Sequence, residues 1–318
     1  MIHTYTFAGM VLQVVHENDQ LFREIDDELQ TYRGDDGSKP DYNVILYGDG
    51  NEFQPPVGAV RAWYGEGKAV YMHGNSSYIW KKDSFLIKID CVKRVIEARY
   101  RGYEEQLHLQ LRSLIKWYFF IRGSEERDLT YIHAAAANYN GMNILFSGDS
   151  HCGKSSSLLR LVKNGARVIT DDAVIINGNR LIPLFLKTAV DADFAHRFNI
   201  SGDALNAGHY VVPEIPLTGI DMIFFLHIWH NEVTLIKKQE YRQALLNLMR
   251  IYRKEAQFNL ISDREKESPD MYRKVFNSYA TVLKNAVCLD VYAGYDEEEV
   301  ENTLIGFING LKHNNPDP

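Results

Sequence analysis

Cysteine is scarce in this chain of 318 residues: Cys91, Cys152 and Cys288 stand far apart, with no paired spacing. A disulfide framework and a cysteine zinc site are therefore not expected, and a reducing compartment is. Long apolar runs are also missing. The longest, Trp117–Ile121 and Met222–Leu226, fall far short of the roughly 20 residues of a membrane span. The opening MIHTYTFAGMVLQVVHEND lacks the basic start and apolar run of a secretory signal. Positive charge is not in excess either, since the net charge is −7, which gives no electrostatic reason to expect a nucleic-acid partner. No internal repeat, hydrolase elbow or dinucleotide glycine fingerprint is present. These absences lead us to expect a cytoplasmic protein, with neither membrane nor nucleic acid as partner. With 45% apolar residues, the chain can bury one or two ordinary cores.

What is present reads as mixed α/β. Residues 1–15 have strand character, and Asn18–Tyr32 places Leu21, Ile25 and Leu29 on one helical stripe. A short strand at Asn43–Tyr47 follows, and then a strand–turn–strand pattern from Ala59 to Tyr100. Glu104–Ile121 reads as a helix. Thr130–Ala137 and Met142–Phe146 read as a hairpin closed by Asn140-Gly141. Ser155–Lys163 is helical, Arg167–Ile176 is a strand carrying Asp171-Asp172, and Arg180–Phe185 is another strand. Asp221–Trp229 and Glu232–Lys238 are expected to pair as strands. Helices at Arg242–Glu255 and Pro269–Leu283, a strand at Val287–Tyr292 and a helix at Asp296–Leu311 complete the chain, with Asp296 and Glu299 as a capping pair. Two domains are expected: an N-terminal α+β region over 1–110, rich in antiparallel strands, and a catalytic α/β region over 111–318.

One segment carries chemistry. Gly148, Gly153, Lys154 and Ser155 fill the fixed places of the template Gly-x-x-x-x-Gly-Lys-Ser/Thr. The apolar strand before it and the helix after it supply the context that a phosphate cradle requires. Glycines at 148 and 153 let successive backbone N–H groups turn inward on phosphate oxygens, and the helix starting near Lys154 adds its positive end. Lys154 would reach the terminal phosphates, and the Ser155 hydroxyl would ligate Mg²⁺. His151 and Cys152 contribute chiefly backbone N–H. Asp171 and Asp172 come only 17 positions after Lys154. Neighbouring carboxylates on a strand face opposite ways, so one is available for Mg²⁺ and the other to take a proton from an attacking hydroxyl.

The block from His133 through GDSHCGKSSSLLRLVKNGARVITDDAVII resembles the catalytic core of the HPr kinase/phosphorylase family, itself related to phosphoenolpyruvate carboxykinases. The resemblance implies a P-loop kinase core with a mixed sheet and flanking helices. It also implies that Gly148, Asp149, Ser150, His151, Cys152, Gly153, Lys154, Ser155 and Ser156 hold ATP phosphates, with Ser155 and Asp172 on Mg²⁺. Asp171 would be the general base, and His133 would lie near the phosphates. Family members often have a strand and a basic residue where this chain has NRLIPLFLK. Lys187 there is the first candidate to clamp phosphate or an acidic substrate, a solvated surface charge being the other reading. The family forms oligomers, so a homo-oligomer is implied.

The sequence also departs from the family pattern. Ser156 stands where the family commonly has glutamate, and His151-Cys152 where it has Gly-Val. The glycine-rich downstream segment that docks HPr has no counterpart. The acceptor expected is therefore a hydroxyl of a peptide, protein or small metabolite rather than HPr itself. The donor, ATP on the resemblance, is not distinguished by the residues from GTP, ADP or pyrophosphate. Two other readings stay open: a nucleotide-binding regulatory module without transfer, and a carboxykinase-like enzyme acting on a small acid. Arg197 and Arg242 are further charges that suit a phosphate clamp or a solvated surface. His227 and His230, three apart on a strand, face opposite ways and are not expected to share a metal.

Overall fold

The computed structural model describes residues 1–17, 20–34, 37–48, 53–65, 67–178, 180–184, 217–229, 231–257 and 269–314. The chain divides into two compact units: Met1–Arg127 with Glu255–Tyr272, and Asp128–Lys254 with Arg273–Pro318.

The first unit is built on an eight-stranded sheet. Its strands are β1 (Ile2–Phe7), β2 (Met10–Val15), β3 (Tyr42–Tyr47), β4 (Val60–Gly65), β5 (Lys68–His73), β6 (Ser76–Lys81), β7 (Phe85–Asp90) and β8 (Val95–Tyr100), in spatial order β1-β2-β3-β8-β7-β6-β5-β4. The strand read over residues 1–15 is in fact a hairpin. Ala8 and Gly9 both take positive φ, 50° and 77°, and fold β1 back on β2. Most pairs are antiparallel, but β3 runs parallel to both β2 and β8. Helix α1 (Gln20–Leu29) buries Leu21, Phe22, Ile25 and Leu29, and α2 (Glu105–Ile115) buries Leu107, Leu111, Leu114 and Ile115. The helix expected to run on to Ile121 instead widens into a π-helical segment, Lys116–Arg122, before the short α3 (Gly123–Glu126). Trp117, Tyr118, Phe119, Phe120 and Ile121 are all buried there, and no single 3.6-residue stripe can bury five adjacent large side chains.

The second unit holds the chemistry-bearing block. Strand β9 (Thr130–Tyr139) turns through Asn140 (φ 53°) and Gly141 (φ 83°) into β10 (Met142–Gly148), the double positive φ of a type I′ hairpin. The strand expected over Arg167–Ile176 is broken into β11 (Arg167–Thr170) and β12 (Ala173–Asn177). Both pair with β9, the first at Ala136–Asn138 and the second at Thr130–His133, and Asp171-Asp172 forms a bend between them. With β13 (Arg180–Leu184), β14 (Leu217–Thr218), β15 (Met222–Ile228), β16 (Leu235–Lys238) and β17 (Val287–Ala293), the spatial order is β14-β13-β12-β9-β10-β15-β17-β16. Strands β15 and β16 do not pair with each other as expected, because β17 lies between them.

Strands β10, β15 and β17 run parallel. Their continuous apolar faces pack Ile144, Phe146, Phe224 and Val291 against α4 (Lys154–Lys163) and α7 (Glu297–Asn314). Two further helices, α5 (Tyr241–Gln257) and α6 (Pro269–Leu283), belong to the same stretch of chain. Asp296 caps α7 by accepting the backbone N–H groups of Glu298 and Glu299. The Glu299 carboxylate does not complete a capping box; it accepts from the backbone N–H and hydroxyl of Thr234. The architecture is thus mixed α/β, with two multistranded sheets and flanking helices. Among the described residues, no helix is long and apolar enough to cross a membrane.

Candidate active site

Strand β10 delivers its last residue, Gly148, to the carboxyl end of the parallel strands, where open α/β sheets place their ligands. Gly148 pairs with Leu226 of β15 and has φ 157°. A Cβ there would lie 2.6 Å from Cys152 Sγ and 2.8 Å from the Leu226 carbonyl oxygen. No side chain fits, so the chain can curl only if residue 148 is glycine. Gly148→Ala is therefore expected to cost about 1–3 kcal/mol through forced displacement of the loop, measured as a lower midpoint of thermal or urea unfolding.

Gly153 (φ 97°) ends the loop and opens α4. The Ser157 N–H donates to the Gly153 carbonyl at 2.9 Å, giving the helix its first closed turn. Between the two glycines, Ser150 and His151 are exposed, and His151 takes φ 62°. That is a left-handed conformation which only glycine reaches without steric cost. Cys152 turns the other way, into the core beside Phe146, Leu158 and Leu226. Burial pushes its thiol above the usual range, which keeps it protonated and unsuited to nucleophilic work. Ser155 and Ser156 are half-buried on the first turn of α4.

Lys154 is buried, and its Nζ donates to the backbone carbonyls of Gly148 at 3.1 Å and Asp149 at 3.0 Å. The ammonium thus spans the concave side of the loop. Asp149 is half-buried, with Oδ1 at 3.1 Å from Lys254 Nζ and Oδ2 at 3.5 Å from Arg250 Nη1.

The bend after β11 brings the acids to the same place. Thr170 fixes it: its hydroxyl donates to the Leu184 carbonyl at 2.7 Å and accepts the Asp172 N–H at 3.2 Å. Because the acids lie on a bend and not within a strand, the opposite-faces argument does not apply to them. Asp171 is 8% exposed. Burial pushes its carboxyl up to about 6, with the Ser155 hydroxyl and the Lys154 charge working against that rise and the Asp172 charge adding to it. Its Oδ1 is buried with no hydrogen-bond partner. Asp172 is less buried and faces His133, with Oδ1 at 3.6 Å from Nδ1. Tyr131 Oη lies 3.4 Å from the same nitrogen. The backbone holds this pair in register, since His133 stands opposite Ala173 and the Ala134 N–H donates to the Asp172 carbonyl at 3.2 Å.

Lys154, Ser155, Asp171, Asp172 and His133 therefore come together around the mouth of the loop. Lys187, Arg197 and His230 lie outside the described residues. Arg242 is exposed in the first turn of α5. His227 pairs with Asp290 at 2.5 Å and stacks on Tyr292. Among the described residues, no group of three or more His, Cys, Asp or Glu side chains is placed to hold a metal ion. The residues missed in the sequence are Arg250 and Lys254. Their i,i+4 spacing puts them on one helix face, but that spacing equally describes a solvated surface, and the carboxylate they meet is about a hundred positions away.

The comparisons with known proteins bear on this block. No family model matches the chain. Among curated proteins, it is 47% identical over 47 residues to an HPr kinase/phosphorylase of Clostridium botulinum (strain Eklund 17B / Type B), covering 15% of this chain and 16% of that protein. It is 38% identical over 60 residues to the HPr kinase/phosphorylase of Streptococcus thermophilus (strain ATCC BAA-491 / LMD-9), covering 19% and 18%. It is 36% identical over 74 residues to that of Treponema pallidum (strain Nichols), covering 22% of each. The matches thus span less than a quarter of those relatives' length. A solved structure of the HPr(Ser) kinase/phosphatase from Coxiella burnetii aligns at 13% identity and TM-score 0.28 over 58% of this chain and 99% of that one. Over these short stretches, the chain is similar to HPr kinase/phosphorylases.

Proposed function

We propose that the chain is an ATP- and Mg²⁺-dependent kinase that transfers the γ-phosphoryl group to a serine-like hydroxyl of a peptide, protein or small metabolite. The observation that carries this reading is the convergence of Asp171 on Lys154 and Ser155 at the glycine loop. Phosphoryl transfer needs little covalent help. It needs a cradle, a cation at the terminal phosphates and a group to take the acceptor's proton. The cradle is the Gly148–Ser156 loop, which a Cβ at Gly148 would fill. Lys154 is the cation, and its ammonium exchanges two loop carbonyls for phosphate oxygens. Asp171, buried and raised to about 6, is ionised at neutral pH yet basic enough to accept a proton from the attacking hydroxyl.

A magnesium ion fits here because the Ser155 hydroxyl meets Asp171, whose buried Oδ1 has no hydrogen-bond partner, and Asp172 is the next residue on the same bend. Ser155 and Asp172 would hold it, and it would supply charge neutralisation across the phosphates. His133 orients Asp172. A second reading exchanges the two acids. Asp171 lies beside Ser155, which suits a metal ligand, and Asp172 faces His133, which suits a base.

The names of the relatives raise HPr as a protein acceptor, and it belongs in the test beside other serine-bearing peptides. Incubation of the full chain with Mg·ATP and each acceptor should give a phosphate adduct by mass spectrometry, with ADP released in equal amount. Tight nucleotide binding with neither adduct nor hydrolysis would replace the kinase by a nucleotide-dependent binding module.

A further inference from the structure

The kinase reading assigns no role to the cations of α5. That helix buries Ala244, Leu245, Leu248, Ile251 and Tyr252 along one stripe, so Arg250 and Lys254 emerge one turn apart on its polar side. Both reach the Asp149 carboxylate, one on each oxygen. The backbone carbonyl of the same residue accepts the Lys154 ammonium. Three cations therefore gather on one loop residue that supplies a single carboxylate. Burial works against ionisation of Asp149, but Lys254, Arg250 and Lys154 hold its carboxyl below the usual range.

An isolated surface ion pair adds little stability, and the Arg250 and Lys254 side chains are about half exposed. Stability alone does not account for two of them on the rim of an anion-binding loop. Their position along the loop says which anion they meet. The lysine of such a loop reaches the terminal phosphates, and its ammonium lies at Gly148 and Asp149, so these residues mark the terminal end. Arg250 and Lys254 meet Asp149 and so border that end.

We infer that Arg250 and Lys254, together with Lys154, form a cationic subsite for the terminal phosphoryl group of a bound nucleoside triphosphate, and so set the preference for triphosphate over diphosphate. The inference rests on the kinase reading of the loop. Asp149 holds the two side chains in place, and their remaining N–H groups are free to donate to phosphate oxygens, arginine from its planar fork and lysine as a point charge.

The test is calorimetric titration of the full chain with Mg·ATP and Mg·ADP. Replacing both residues (Arg250→Ala with Lys254→Ala) should weaken Mg·ATP binding roughly ten- to hundredfold, the range for losing charge-assisted hydrogen bonds. Mg·ADP affinity should stay essentially unchanged. The exchanged pair Arg250→Lys with Lys254→Arg should restore most of the ATP affinity. The unfolding midpoint of the alanine variant should match the parent, because both side chains leave the surface and not the core. Equal weakening for both nucleotides, no weakening for either, or a change confined to the acceptor's KM would each overturn the inference while leaving the loop reading intact. Failure of the unaltered chain to bind either nucleotide would bring down the loop reading, and the inference with it.

Discussion

Lys154→Ala is expected to abolish phosphoryl transfer, with a loss of about 10²–10³-fold or more in kcat, the range for removing one preorganised donor to developing charge. Lys154 is buried, and its Nζ is fixed by the carbonyls of Gly148 and Asp149. Its reach to the cradle is therefore set by the fold, and neither Arg250 nor Lys254 can take its place from the rim. The same substitution leaves two loop carbonyls without their donor, which costs about 1–3 kcal/mol if water does not replace it. Lost activity alone would thus confuse a chemical role with a structural one. Lys154→Met keeps the volume of the stem, so its unfolding midpoint reports what the loss of the ammonium and its two bonds costs the fold, and its transfer rate can be judged against that. A methionine variant that unfolds near the parent's midpoint but transfers no labelled phosphate would place the loss in the chemistry. Transfer within tenfold of the parent would remove Lys154 from the mechanism.

The loop was legible in the sequence because its requirements are local. Gly148, Gly153 and Lys154 are spaced by the curl of a few residues, and the Asn140-Gly141 turn and the α4 stripe are equally short-range. Even His151 has a local meaning, since φ 62° is a conformation that glycine reaches without steric cost. The bend at Asp171-Asp172 was not legible. Val168, Ile169, Val174 and Ile175 read as one strand, and what splits it is Thr170 bonding to Leu184 on β13, together with pairing to two separate parts of β9. The place of β17 between β15 and β16 was hidden because β17 is parallel to β15 and follows antiparallel β16 only after two helices, so no turn signal announces either pairing. The Arg250–Asp149 and Lys254–Asp149 pairs join an ordinary amphipathic helix to a loop distant in the chain, and only the tertiary fold distinguishes them from solvated charge.

For Asp171→Asn, transfer should fall by about 10²–10⁴-fold, the span of general-base contributions, while Mg·ATP still binds. The parent's kcat/KM should rise with pH, about tenfold per unit below 6, and level off above it, because Asp171, the proposed base, titrates at about 6. The variant's residual rate should lack that inflection. Stability should move the opposite way. The folded carboxyl titrates at about 6, against 3.8 for an unperturbed aspartate. Between those values the native chain keeps a proton that the unfolded chain has released, so stability is fullest below 3.8 and is lost as pH rises through 6. At neutral pH the buried charge then costs on the order of 2–3 kcal/mol. Asparagine carries no such charge, so Asp171→Asn should unfold at higher urea than the parent at about pH 7, with the gap closing toward about pH 4. A stabler, inactive, nucleotide-binding variant is what a base held in unfavourable surroundings for its chemistry would give. If instead the acids have exchanged roles, Asp171→Asn would raise the Mg²⁺ requirement and keep the pH inflection, and Asp172→Asn would erase it. Full transfer in both variants would leave the loop as a nucleotide cradle without a base.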